Sequence, residues 1–240
     1  MSVRLKSIPL FVLILIIFAG CGSNEGKKST DVTEKKDNNV KQVLQKAASV
    51  CIWDKGTIKA TPSKNGKYVS SMSLGEKINW LGETAMDSTD KNKTYYHVEL
   101  SDGTTGWASQ YVIAPDAKAG ITTKQVPIYL RPDLLTLTNK SFDEMELVAI
   151  TKSSGEWLEV TGKEGKKKGW IKSRLVSEKD ADIAVGLLTS KALEVKDSSK
   201  QYERILEIVD NPSLASSRFM HDLKERVNRE QMAVELKDTE

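Results

Sequence analysis

Two histidines and two cysteines are all that this 240-residue chain holds of the side chains most used to grip transition metals. His97 and His221 stand far apart, with no H-x-x-x-H or H-x-H spacing, so the zinc sets of amidases and peptidases are excluded. Cys21 and Cys51 are too few for a disulfide framework, and Cys51, inside "SVCIW", reads as a small buried apolar residue. Charge of one sign is also missing: 36 Lys and Arg face 33 Asp and Glu, which is no footprint for nucleic acid or for an anionic membrane surface. The acidic group Asp143, Glu144 and Glu146 has no general acid set against it and reads as a solvated face. No glycine-rich phosphate cradle or metal loop occurs, and no cofactor is expected. The one long apolar run, residues 8–19, is twelve residues and too short to span a bilayer comfortably.

What is present begins with that run. Arg4 and Lys6 precede it, and "FAGC" closes it, with small residues ahead of Cys21. The stretch resembles a bacterial lipoprotein signal, residues 1–20, whose cysteine takes diacylglycerol on sulfur before cleavage. Cys21 is therefore the expected lipidation site and a lipid-anchored place in the bacterial cell envelope is implied. Gly22 and Ser23 behind it lean toward the outer membrane, with the facing side left open. Removing the two signal cations leaves 34 basic against 33 acidic residues. Residues 21–47 are rich in Lys, Asp, Asn, Ser and Thr and free of aromatics until the fold begins, which predicts a flexible linker with a reach of roughly 25 to 30 Å.

A repeat organises residues 48–178. Gly106-Trp107 recurs as Gly169-Trp170, and Val112-Ile113 as Leu175-Val176, both 63 residues on. Tyr95 and Val98 match Trp157 and Val160 at 62, Ile78 and Trp80 match Leu147 and Ala149 at 69, and Ile58 and Pro62 match Ile128 and Pro132 at 70. Within each unit the apolar period is two, as in "YYHVEL" and "WLEVTG", with turn signals about every ten residues. Short strands at that spacing predict a mainly β chain of two small barrels, residues 48–116 and 119–178. Gly106 and Gly169 are expected to relax the backbone where the last strand begins, and Trp107 and Trp170 to cover one end of a thin core.

These phrases resemble the bacterial SH3 (SH3b) domain family, whose closing "G-W-(V/I)-x-x-x-(Y/L)-(L/V)" is met by "GWASQYV" and "GWIKSRLV". Two departures stand out: Tyr95 replaces the expected tryptophan, and "LLTLTNKSFDE" has no glycine where the first unit turns on one. The resemblance implies tandem SH3-like folds and binding without catalysis, with peptidoglycan peptides or an envelope protein as partner. A surface adhesin for host molecules, or a scaffold whose helices hold a partner, are the other readings. SH3-like grooves are lined by aromatics, which makes Tyr95, Tyr96, Tyr129 and Trp157 the candidate ligand residues. Lys163, Lys166, Lys167 and Lys168 form either a solvated hairpin tip or a cationic lip.

Beyond residue 178 the apolar spacing becomes three and four, with Ile183, Leu187 and Leu188, then Tyr202, Ile205, Leu206 and Val209, then Phe219, Leu223 and Val227. A helical region over residues 179–236 is expected, with Ser199 and Ser213 or Ser216 as caps and Pro212 breaking it.

Overall fold

A computed structural model describes residues 46–237. The expected signal, Cys21 and all but the end of the linker lie outside those residues. The chain is mainly β. Its first seven strands are β1 (Ala47–Cys51), β2 (Gly56–Lys59), β3 (Tyr68–Met72), β4 (Lys77–Asp87), β5 (Lys93–Glu99), β6 (Thr105–Ser109) and β7 (Ile113–Ala114). The next seven are β8 (Lys118–Thr122), β9 (Val126–Tyr129), β10 (Leu137–Phe142), β11 (Leu147–Ser154), β12 (Trp157–Gly162), β13 (Lys168–Lys172) and β14 (Val176–Ser177). Helices α1 (Asp180–Leu193), α2 (Ser198–Asp210) and α3 (Met220–Lys237) follow. Each set of seven strands makes one sheet, in the orders β3-β2-β6-β5-β4-β1-β7 and β10-β9-β13-β12-β11-β8-β14. The second order is the first with every strand advanced by seven. None of the described helices is long and apolar enough to cross a membrane.

Alternation supplies each sheet with its own apolar cluster. Ile58, Met72, Ile78, Val98 and Ala108 meet in the first, and Ile128, Phe142, Val148, Val160 and Ile171 take the same places in the second. The strand pairings sharpen the repeat. Trp80 pairs with Val98 and Ile150 with Val160, so Trp80 corresponds to Ile150 and Ile78 to Val148. The expected match of Ile78 and Trp80 to Leu147 and Ala149 is thus one residue out of register. The cause is visible in β11, where Leu147 through Ile150 are all buried. Val148 and Ile150 face their own sheet's cluster, while Leu147 and Ala149 join a different core. A strand buried on both faces loses the parity that would fix its register from sequence.

The repeated Gly-Trp pair also has a different role from the expected one. Gly106 pairs with Val98 and Gly169 with Val160, so the positions are equivalent. A Cβ on Gly106 would sit 2.4 Å from Ile58 Cγ2 and 2.8 Å from the Lys59 carbonyl; on Gly169 it would sit 2.6 Å from both Ile128 Cγ2 and the Tyr129 carbonyl. The glycine lets β2 and β9 cross closely over the sixth strand of each sheet. Trp107 and Trp170 lie half-buried and belong to neither apolar cluster, so they do not cap the cores. The small or branched residue behind each, Ala108 or Ile171, is the one that points inward.

The largest core belongs to neither sheet alone. Val50, Ile52 and Ala114 of the first, Ala119, Ile121, Leu147 and Ala149 of the second, and Ile183, Val185, Ile205, Phe219 and Leu223 of the helices form one cluster. Between β7 and β8 the Ala117 N–H donates to the Ala48 carbonyl at 2.8 Å, and the Glu164 N–H reaches across to the Ile52 carbonyl at 2.7 Å. Asp182, in the first turn of α1, is buried and accepts from Ser177 Oγ at 2.5 Å and from Ser217 Oγ and the Arg218 N–H at 2.8 Å each. One carboxylate therefore ties the last strand, α1 and the entry to α3. Of the expected caps, Ser199 lies inside α2, whose Lys200 N–H is taken by the Asp197 carboxylate at 3.1 Å. Leu188, expected on the packed face, is 41% exposed.

Candidate functional site

The β4–β5 hairpin is where the two sheets differ most. Trp80 and Val98 are eighteen residues apart, Ile150 and Val160 only ten, so the first hairpin is eight residues longer. Lys91 and Asn92, both at positive φ, turn its tip. Asp87 then fastens the extension to the neighbouring β2–β3 hairpin. Its carboxylate accepts from Thr89 Oγ1 at 2.5 Å, from the Lys64 N–H at 2.9 Å and from the Thr89 N–H at 3.0 Å. These donors, led by the Thr89 hydroxyl, hold the carboxyl down at about 2.

Between the two fastened hairpins lies a groove of about 400 Å³. Tyr95 forms its floor, 2% exposed, and burial pushes its phenol upward in pKa. Trp53 and Tyr111, 37% and 56% exposed, stand on the rim with Lys59, Lys64 and Lys93. Lys93 bridges Asp90 at 2.7 Å and lies over the Tyr111 ring at 5.6 Å. The Lys59 ammonium donates to the carbonyls of Ser63 and Lys64. Among the described residues neither Lys59 nor Lys64 has a carboxylate at ion-pair distance. The groove thus offers aromatic faces for stacking and, in Lys59 and Lys64, ammonium groups outside any close ion pair, with Asp87 and Asp90 near Lys64.

The four candidate ligand residues divide between two sheets. Tyr96, next to Tyr95, points to the other face, against the first cluster and edge-on to Trp80 at 5.7 Å between centroids. Trp157 occupies the place of Tyr95, pairing with Lys172 as Tyr95 pairs with Ser109. It is covered: Tyr129 meets it edge-on at 4.9 Å and the Lys172 ammonium lies 3.7 Å from its ring centre. In the second sheet these aromatics and this cation therefore satisfy one another. Trp53 and Tyr111 escaped the sequence reading because nothing in the repeat marks them; Arg174 stands where Tyr111 does.

Other features are already spent. Lys166 pairs with Glu164, Lys167 with Glu146, and Lys163 with Glu194 at 3.8 Å, so most of the lysine-rich tip serves internal ion pairs. His97 stacks on Trp107 at 4.8 Å and meets Glu83 at 2.9 Å. Cys51 ends β1, fully buried, and burial raises its thiol to about 11. Among the described residues no three His, Cys, Asp or Glu side chains gather as a metal set. A larger cleft of about 460 Å³ between the helices and the Asp143–Glu146 turn mixes both charges on its rim. A depression of about 320 Å³, bordered by Ala48, Lys118 and Glu178, is the seam between the sheets and holds no aromatic residue.

The chain matches no protein-family model and no curated protein. Among solved structures, NlpC2 and NlpC1 from Trichomonas vaginalis are each similar over 62% of this chain, at 13% identity and a TM-score of 0.25. The likeness spans 57% of NlpC2 and 54% of NlpC1. At that TM-score it assigns neither fold nor activity.

Proposed function

We propose that this chain is a non-catalytic, lipid-anchored protein of the bacterial cell envelope, built on two tandem SH3-like barrels, that binds carboxylate-bearing cell-wall peptides in the Tyr95 groove. The observation that carries the reading is the grouping of Trp53 and Tyr111 with Lys59 and Lys64, neither of them in a close ion pair, around one open groove. Stem peptides of peptidoglycan are short, extended and anionic, which suits stacking and ammonium contacts together. The identical strand orders and the repeated closing motif support the tandem reading.

The second sheet is left out of the binding surface, because Trp157, Tyr129 and Lys172 pack on each other. Binding is therefore assigned to the first repeat. Co-sedimentation with purified sacculi tests it. Trp53→Ala with Tyr111→Ala is expected to reduce recovery about tenfold or more at unchanged thermal stability, since both rings are on the rim. Unchanged recovery of that double variant would overturn the assignment. The anchor has its own test: Cys21→Ala is expected to abolish lipid labelling and release the chain from the membrane fraction.

A further inference from the structure

The tips of the β2–β3 and β9–β10 hairpins share their turn bonds, although the strands close one residue apart: the Ala60 N–H donates to the Lys67 carbonyl and the Leu130 N–H to that of Thr136. The Gly66 N–H donates to the Ser63 carbonyl and the Thr136 N–H to that of Asp133, both at 3.1 Å. Ser63 donates to Thr61 at 2.8 Å and Asp133 to Arg131 at 2.7 Å, each from N–H to carbonyl. Ser63 Oγ and Asp133 Oδ1 cap the residue two places on, Asn65 and Leu135. Thr136 replaces the glycine, and its buried hydroxyl accepts from the Arg131 N–H and donates to carbonyls of Arg131 and Asp133. The glycine-free loop is therefore the same turn, held more tightly.

On that shared scaffold the side chains differ in kind. Lys64 and Asn65 of the first tip correspond to Leu134 and Leu135 of the second, and Leu137, paired with Tyr129 as Tyr68 is with Lys59, takes the place of Tyr68. Those leucines are 63%, 92% and 59% exposed, and Leu130 beside them 72%. The first hairpin shows that the turn forms without a single leucine, so the fold does not require them. A contiguous exposed apolar patch of this kind marks a contact surface.

We propose that the β9–β10 tip inserts into the interface of an anionic lipid bilayer. Leu135 touches almost nothing, so the patch is a projecting tip rather than a flat face or a groove, and a projecting apolar tip suits a deformable receptor. Arg131 and Lys140 are the cations nearest the tip, against one acid there, Asp133, whose Oδ1 is engaged by the Leu135 N–H. Neither of the two has an ion-pair partner among the described residues. Anionic headgroups would neutralise them while the leucines enter the acyl boundary.

The test places a tryptophan at either tip of the full chain, Leu135→Trp or Asn65→Trp, and reads each emission as a difference from wild type. With phosphatidylglycerol-containing vesicles carrying brominated acyl chains, the Leu135→Trp signal is expected to shift blue and to be quenched at least about threefold more than the Asn65→Trp signal. An unquenched Leu135→Trp, or equal quenching at the two tips, overturns the proposal whether or not the chain floats with the vesicles. Flotation of the same samples reports separately on the Cys21 anchor. A blue shift that grows with protein concentration in the absence of vesicles assigns the tip to a second copy of the chain and likewise overturns the proposal.

Discussion

Gly106 and Gly169 show how one atom sets a repeat. A methyl at either position overlaps an isoleucine side chain and a backbone carbonyl, and the carbonyl cannot rotate away. Gly106→Ala and Gly169→Ala are each expected to cost about 2 kcal/mol by overpacking, read from chemical denaturation. Gly103, with open space around it and φ +84, is a turn position where the cost comes from backbone conformation instead. Asp182 acts through charge. Burial works to raise its pKa, and the donors Ser177, Arg218 and Ser217 outweigh that and lower it. A carboxyl lowered on folding contributes stability above its unfolded pKa of about 4 and loses that contribution as pH falls through the folded value. Asp182→Asn is expected to flatten the fall in melting temperature between about pH 4 and lower pH, and to cost about 2 kcal/mol at neutral pH because buried donors lose a charged acceptor. A variant that keeps the full acid sensitivity of wild type would assign the titration elsewhere.

At the scale of elements, the β2–β3 hairpin and the long β4–β5 hairpin of the first sheet make the groove. The extra eight residues of β4–β5 are held to the β2–β3 tip through Asp87, whose carboxyl stays ionised down to about 2. Shortening that hairpin to the length of "TKSSGE" is expected to abolish sacculus binding while β4 and β5 remain paired, as measured by co-sedimentation beside circular dichroism. The change of offset between the repeats was legible as loop drift. Its consequence was not, because a wall is made by two hairpins meeting through a side chain-to-backbone bond that no local pattern announces. Tyr95 was legible as a candidate because strand alternation places it opposite Tyr96. Trp53 and Tyr111 were not, since they reach the groove from a strand exit and a turn.

At the scale of the whole molecule, the helices complete a core that both sheets share. Ile183, Ile205 and Phe219 pack there, while Leu188 and Leu193 of α1 stay exposed. The described body is expected to unfold in one transition, with calorimetric and van't Hoff enthalpies in a ratio of about 1. Removing residues 180–240 uncovers Ile121, Leu147 and Ala149 and is expected to destabilise both sheets together; a fragment of unchanged melting temperature would show independent modules. The amino-acid sequence alone determined the mainly β character, the duplication and the helical end, because period two, period three to four and a repeated glycine-tryptophan phrase are local properties of the chain. Only the tertiary structure decided the register of β11, the outward place of Trp107 and Trp170, the shared core and the open groove of the first repeat. Each of those depends on what lies against the second face of a strand, and a strand carries no record of its neighbour beyond the parity that double burial erases.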